Sequence, residues 1–445
     1  MNENELMSSM KVSKAVAKMA IPSVISSLVT VVYNMADTFF VGQTGDSLQV
    51  AAVGLTNPIF ILLMAFANMF GMGAVAVAST ALGQKNYKRV KSSSAFITYA
   101  SLIVGLIFTA VLFIFMRPIL NLFGANADTY EMARGYTIHI AYGAPFIIWS
   151  AAASFIVRAE GASRESMIGS MIGTVANIVL DPLFISGFGM GAAGAAIATT
   201  IGNVLASLYF LWYFLKKSKI FSLKPGDFTV KDRLLVDICS TGLPTAVFSA
   251  LMSVATIVIN QILTAYGNAP VAAFGIVFKA NMFLAFLQMG LANGVQSLLS
   301  YNYGSRDFKR FKSIELFTKK VCVITGVIAT LLFFLFRTPI IQMFISDDEV
   351  IRYGVQMLVA YMLSGPFIGL LFMNMNCMQA VGNASPATFL SILRQGLLLI
   401  PLLYLLNALF GFNGVIYGQA ITDYVAIVLS IVFWQRKRKI LNKAD

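Results

Sequence analysis

Apolar residues run through this chain in long blocks, separated by short polar or basic stretches. Twelve blocks have spanning length, at 15–41, 51–80, 92–116, 130–156, 163–187, 192–215, 234–265, 270–300, 315–336, 351–379, 386–408 and 413–434. As helices, such blocks cover a hydrocarbon core about 30 Å thick. Several are not apolar all round. In the first, Ser23, Ser26, Ser27, Thr30, Tyr33, Asn34, Asp37 and Thr38 recur in steps of three and four, which places them on one helix face. Ser170, Thr174, Asn177 and Asp181 do the same in the fifth block, Thr199, Asn203 and Ser207 in the sixth, and Ser150 and Ser154 in the fourth. A membrane helix with such a stripe turns it away from lipid, and a carboxylate at bilayer depth is a functional candidate by default.

Composition agrees with that pattern. Of 445 residues, 58% are hydrophobic and 11% charged, and the mean hydropathy is +0.79, which excludes a soluble or disordered chain. The net charge of +13 raises the question of nucleic acid, but its distribution answers it. With the N-terminus cytoplasmic, 26 of the 32 Lys and Arg lie on the cytoplasmic side, in the N-terminal segment, the 2–3, 4–5, 6–7 and 8–9 loops and the tail. That asymmetry is the positive-inside rule, so the charge records topology and no nucleic-acid partner is expected. The reading is a multi-pass protein of a bacterial cytoplasmic (inner) membrane, monomeric, with both termini inside. Its polar start shows no cleavable signal peptide and leads straight into a span. Cys239, Cys322 and Cys377 fit no metal or redox spacing and are expected to be reduced packing residues.

The second half repeats the first. At an offset of 221, Gly54 meets Gly275, Gly73 meets Gly294, Pro118 meets Pro339, Pro145 meets Pro366, and Gly161 meets Gly382; at 222, Pro22 meets Pro244. Six spans is an even number, so the halves enter the membrane in the same orientation as parallel repeats. The expected fold is therefore all-α, with two six-helix lobes related by a pseudo-two-fold axis along the membrane normal. The N-terminal lobe is 1–215, a cytoplasmic linker 216–233, the C-terminal lobe 234–435 and a basic tail 436–445. The repeat keeps the glycines and prolines but drops the carboxylates: Asp37 faces Ile259, and Asp181 an apolar position near Ile400.

Asp37 and Asp181 thus belong to a site confined to the first lobe, where four polar stripes converge. Hydroxyl and amide residues commonly glue helices together, and that reading suits any single Ser or Thr. The aspartates are different, because neither has a cation at the midplane of its lobe. Burial disfavours the charged carboxylate, so such a group can exchange a proton; the same oxygens also suit a sodium ion. Pro182, directly after Asp181, frees a helix carbonyl beside this region.

These motifs resemble the multidrug and toxic compound extrusion (MATE) family, in its MepA-like branch near the DinF-type members. The likeness rests on Pro22 to Asp37 followed by Gly42, on NIVLDPLF at 177–184, on GAAGAAIAT at 191–199, and on GLP at 242–244 with RQGLLLIP at 394–401. It implies export of lipophilic organic cations in exchange for protons or sodium, with no cofactor and no structural metal. It places the coupling ion, or a possible sodium, at Asp37, Asn177, Asp181 and Thr199, and a helix-bending role at Pro22. Ser154 stands where the family has an asparagine. NorM-type members couple through acids in the seventh and tenth helices; here those spans offer only Asp237 at an edge, so that route is not expected.

A substrate cavity is expected around Tyr33, Asn34, Ser154, Met64, Met282 and Met289, since thioethers and an aromatic ring suit flat cations; ordinary packing explains the methionines equally well. Among the remaining ionisable groups, Asp423 is expected to pair with Lys279 or Arg394. Arg158, Glu160, Arg164 and Glu165 form an expected solvated cluster, and His139 a packed histidine. The competing function is a flippase for a lipid-linked precursor, which needs a basic cavity for pyrophosphate. An intramembrane enzyme lacks every supporting motif.

Overall fold

The computed structural model describes residues 3–42 and 47–441, without the side chains of residues 3, 4, 37, 38, 42, 47, 440 and 441. Among these residues there are helices and no strands. In chain order the spans are α1 Val12–Gly42, α2 Ser47–Gly83, α3 Tyr87–Ile114, α4 Tyr130–Val157, α5 Ser163–Pro182 and α6 Gly191–Trp212. The second half has α7 Leu234–Thr264, α8 Asn268–Gly294, α9 Phe308–Leu335, α10 in two pieces (Asp348–Met362 and Gly365–Ala380), α11 (Ser385–Ile392 and Leu399–Phe410) and α12 Phe412–Leu441. Among the described residues eleven helices are long and apolar enough to cross a membrane, or twelve with the two pieces of α10, bent by 47°, taken as one span. The expected all-α fold of twelve spans is observed.

The repeat is written into turn and cap geometry as well as sequence. Asn86 caps α3 by accepting from the Arg89 N–H at 3.1 Å, and Asp307, 221 residues later, caps α9 by accepting from Arg310 N–H at 2.9 Å. The residue before each cap is left-handed although it is not glycine: Lys85 has φ 59° and Arg306 φ 61°. Gly161 and Gly382, at the same offset, hold a second pair of left-handed turns, with φ 89° and 69°.

Contacts divide the chain into two units, Met1–Asn4 with Val29–Gly242, and Glu5–Leu28 with Leu243–Asp445. The opening of α1 therefore packs with the second half and the opening of α7 with the first. Glycines make room for both crossings. A Cβ on Gly73 of α2 would lie 1.9 Å from the Ile238 carbonyl oxygen of α7, and one on Gly294 of α8 would lie 2.7 Å from Ala20 Cα of α1.

In the first unit α4 is the central helix, packed against α2, α3, α5 and α6; in the second, α10 takes that place among α8, α9 and α12. Both carry the repeated proline, and their treatment of it differs. Pro145 blocks the helical hydrogen bond to the Ala141 carbonyl, and the Thr109 hydroxyl of α3 donates to that oxygen at 2.6 Å. The helix runs on. At Pro366 the helix breaks instead, and Thr330, the equivalent of Thr109, has no hydrogen-bond partner for its buried hydroxyl among the described residues.

Candidate functional site

The site lies in the first unit and begins with a backbone contact. Gly173 of α5 and Gly202 of α6 meet so closely that a Cβ on Gly202 would lie 2.5 Å from the Gly173 carbonyl oxygen. With the two helices this near, Asn177, one turn past Gly173, reaches the backbone of α6. The Thr199 N–H lies 2.8 Å from the Asn177 carboxamide and can only donate, so the carboxamide oxygen faces it. In that orientation the oxygen also accepts from Thr199 Oγ1 at 3.2 Å, and the amide nitrogen donates to Asp181 Oδ2 at 3.1 Å.

The network extends from there. The Tyr33 hydroxyl of α1 lies 3.3 Å from Thr199 Oγ1. Asn203 donates to the Thr199 carbonyl at 2.8 Å and accepts from Ser150 Oγ of α4 at 3.0 Å. Asp181 is fully buried, Asn177 is 3% and Thr199 4% exposed. A connected network of polar groups this far from water fixes their orientations. Three of the four residues assigned to the coupling ion, Asn177, Asp181 and Thr199, are thus in one chain of hydrogen bonds, with Tyr33 attached. Asp37 follows Tyr33 by one turn of α1, but its side chain lies outside the described residues. Pro22 sits within an uninterrupted α1. Directly after Pro182 the helix widens to a π turn, Leu183–Gly187, consistent with the ladder the proline disturbs.

The other expected cavity residues divide between the two units. Ser154 turns its hydroxyl back to the Ala151 carbonyl at 2.8 Å and takes no part in the network. Asn34 is exposed and Met64 half-buried in the first unit, and Met282 and Met289 are half-buried in the second. Met289 borders a cavity of about 30 Å³ within the second unit, with Thr245, Asn293, Phe372, Asn376 and Gln379. No carboxylate lines it, and Asn376 donates to Asn293 at 3.0 Å. His139 is packed, with Nδ1 2.7 Å from the Gly135 carbonyl oxygen.

The second unit neutralises its own buried aspartate. Arg394 Nε donates to Asp423 Oδ1 at 2.7 Å, Gln419 donates to the same oxygen at 2.8 Å, and Ser364 donates to Oδ2 at 2.6 Å. Of the two expected cations, Arg394 makes the pair, while Lys279 has no ion pair among the described residues. Arg394 also sits 5.3 and 5.5 Å from the ring centres of Phe248 and Phe372.

One expectation needs correcting. The 4–5 loop charges are solvated only in part: Arg164 is exposed and Glu165 partly so, but Arg158 is 7% and Glu160 4% exposed. Glu160 accepts from Tyr213 at 3.0 Å and Ser218 at 3.1 Å, while Glu165 accepts from Lys217 at 2.9 Å and from Tyr209. The end of α6 folds over these carboxylates and replaces their water. Sequence reasoning also missed Gly173 and Gly202, although each stands one helical turn from a residue of its polar stripe, where small residues let helices approach. It missed Glu315 too, fully buried and bound by Trp434 at 2.7 Å and Lys319 at 2.6 Å. Its i, i+4 lysine makes it look like a solvent-facing pair.

Eleven to twelve helices able to span a membrane, with a buried polar network inside the first unit, define a polytopic membrane protein among the described residues. The chain belongs to the MatE family of transporters: the family model matches twice, at 22–183 and 244–405, once in each half. Among its relatives, the multidrug export protein MepA of Staphylococcus saprophyticus is 34% identical over 436 residues, covering 98% of this chain and 96% of that protein. MepA of Staphylococcus aureus strain MRSA252 is 33% identical with the same coverage. The fold is that of solved MATE structures. A proline-to-alanine mutant of one superimposes with TM-score 0.94 at 25% identity, covering 100% of this chain and 99% of that one. An outward-facing multidrug resistance MATE transporter of the MOP superfamily superimposes with TM-score 0.93 at 24% identity, covering 99% of each chain.

Proposed function

We propose that this protein is a secondary-active multidrug efflux antiporter, exporting lipophilic organic cations in exchange for protons or sodium by alternating access. The observation that carries the reading is Asp181, fully buried and joined through Asn177 to Thr199 and Tyr33. When the site faces outward, an ion taken up at Asp181 and Asp37 cancels carboxylate charge. The hold on a cationic drug weakens, the drug leaves, and α1 is biased toward a form bent near Pro22. When the site faces the cytoplasm the ion departs, and the recharged carboxylates take the next drug. A ligand moves such an equilibrium only by binding one state better, and competition for the same charge supplies that difference.

Asn177 supports the proton as the exchanged ion. It presents an N–H to Asp181, so a sodium ion there would have to turn the amide and give up its bonds to Thr199, whereas a proton would not. The positive-inside pattern supports placing both termini in the cytoplasm, and the reading takes the chain as a monomer in the bacterial inner membrane. A lipid-precursor flippase is less well supported, because Arg394, one of its two candidate phosphate ligands, is committed to Asp423.

Vesicles holding the purified protein test this with pH and sodium gradients imposed separately. The expected result is export of a fluorescent cation driven by the pH gradient and lost in Asp181→Asn and Asp37→Asn. Full gradient-driven transport in both variants would overturn the role given to the carboxylates.

A further inference from the structure

The C-terminal end of α12 is a run of five polar and basic residues, Gln435 to Lys439, and its cations have different fates. Arg438 lies 3.7 Å from the buried carboxylate of Glu315, which already holds Lys319. Arg436 and Lys437 have no ion pair among the described residues, and both open on a cavity of about 420 Å³. Its other walls are Asn383, Ser385 and Pro386 at the start of α11 and the rings of Phe389 and Phe433. The two rings pack 6.2 Å apart, and Phe389 is 42% exposed. The side chains of Asn383 and Ser385 make no hydrogen bond among the described residues, and the first turn of a helix leaves backbone N–H groups without internal acceptors. Cations and neutral donors thus share one rim, above an apolar wall.

The equivalent place in the first half explains what is missing here. With Gly161 and Gly382 fixing the register, Lys216 corresponds to Lys437, Glu160 to Val381 and Glu165 to Pro386. In the first half those two carboxylates take the donors from the end of α6, Lys217 and Tyr213 among them. The second half lacks both acids: Arg438, the counterpart of Lys217, turns to Glu315 instead, and Lys437 and Arg436 have no ion pair among the described residues. Arg436, standing where the first half has Leu215, adds one more.

We propose that this cavity binds an anionic phospholipid, with the phosphate held by Arg436, Lys437 and the Ser385 hydroxyl and an acyl chain laid on Phe389 and Phe433. The phosphate supplies an anion on a rim where Val381 and Pro386 stand at the positions of Glu160 and Glu165. A free phosphate would satisfy the rim but leave the exposed ring uncovered, whereas a lipid of the surrounding bilayer satisfies both. Each basic residue near a membrane surface adds to the attraction for anionic lipid.

Native mass spectrometry of the detergent-purified full chain tests this, by titration with dioleoyl phosphatidylglycerol against dioleoyl phosphatidylcholine. The wild type should retain the anionic lipid about tenfold better. Arg436→Gln with Lys437→Gln should remove that preference, and Phe389→Ser should weaken retention of the same lipid. Lys88→Gln with Lys91→Gln, a change in the separate basic first turns of α3, should leave the preference intact. All three variants alter residues outside the buried core, and melting in phosphatidylcholine alone checks that each is folded. Equal retention of the two lipids by the wild type would overturn the proposal, as would an unchanged preference in the Arg436/Lys437 variant. Displacement of the bound lipid by excess inorganic phosphate would identify a soluble-anion site and overturn it as well.

Discussion

Asp181 and Asp423 are both buried aspartates in spanning helices, one in each half of a repeated scaffold, and they are held in opposite ways. Asp423 is fixed by a guanidinium at 2.7 Å and by two neutral donors. Asp181 receives the amide of Asn177. Pairing with an arginine makes Asp423 part of the framework of its half, whereas the Asn177 amide that meets Asp181 carries no charge. Repetition thus supplies the shape twice, while the partners given to the two aspartates differ.

The largest expected effect separates those roles. Asp181→Asn should reduce gradient-driven transport to that of protein-free vesicles while shifting the melting temperature little, since an amide replaces a carboxylate of the same shape. Asp423→Asn should do the reverse, because it leaves Arg394 as a buried charge without its partner. Arg394→Met sharpens this. Breaking a buried pair from one side costs about 3–5 kcal/mol, measurable by denaturation in detergent. Combining it with Asp423→Leu should restore most of the loss, and no recovery would show that the pair contributes more than mutual neutralisation.

A smaller effect tests the repeated proline. Thr109→Val strands the Ala141 carbonyl and should cost about 1–3 kcal/mol. Thr330→Val in the other half removes a hydroxyl that has no partner and should be neutral or stabilising; equal losses at the two positions would erase the distinction between the intact α4 and the broken α10. Smallest of all, Tyr33→Phe gives up the 3.3 Å hydrogen bond to Thr199, worth about 0.5–1.5 kcal/mol, seen as a minor change in transport rate.

Much of this was legible before any coordinates. Twelve spans follow from blocks too long and too apolar for another purpose, and the repeat from glycines and prolines that recur because backbone geometry recurs. Asn177, Thr199 and Asp181 were found by spacing, since steps of three and four leave polar groups no neighbour but one another. What stayed hidden depends on contacts between distant segments. Nothing near Glu160 or Glu165 announces that the end of α6 will cover them, and Glu315 with Lys319 has the spacing of a surface pair. The break in α10 is intermediate: Ser364, Gly365 and Pro366 mark a weak point, but Pro145 shows that a proline alone does not break a span. The difference lies in whether a hydroxyl on the neighbouring helix reaches the freed carbonyl.

The pairing of Arg394 with Asp423 also bears on how the chain enters the bilayer. Each charge lies well inside its own span, α11 or α12, and an isolated Arg or Asp at the centre of an inserting helix costs about 2.5–3.5 kcal/mol. Joined, the two helices form a hairpin whose buried charges cancel. Spans α11 and α12 thus lighten each other's insertion cost, and a chain truncated between them would leave its last helix with a buried arginine that lacks its aspartate.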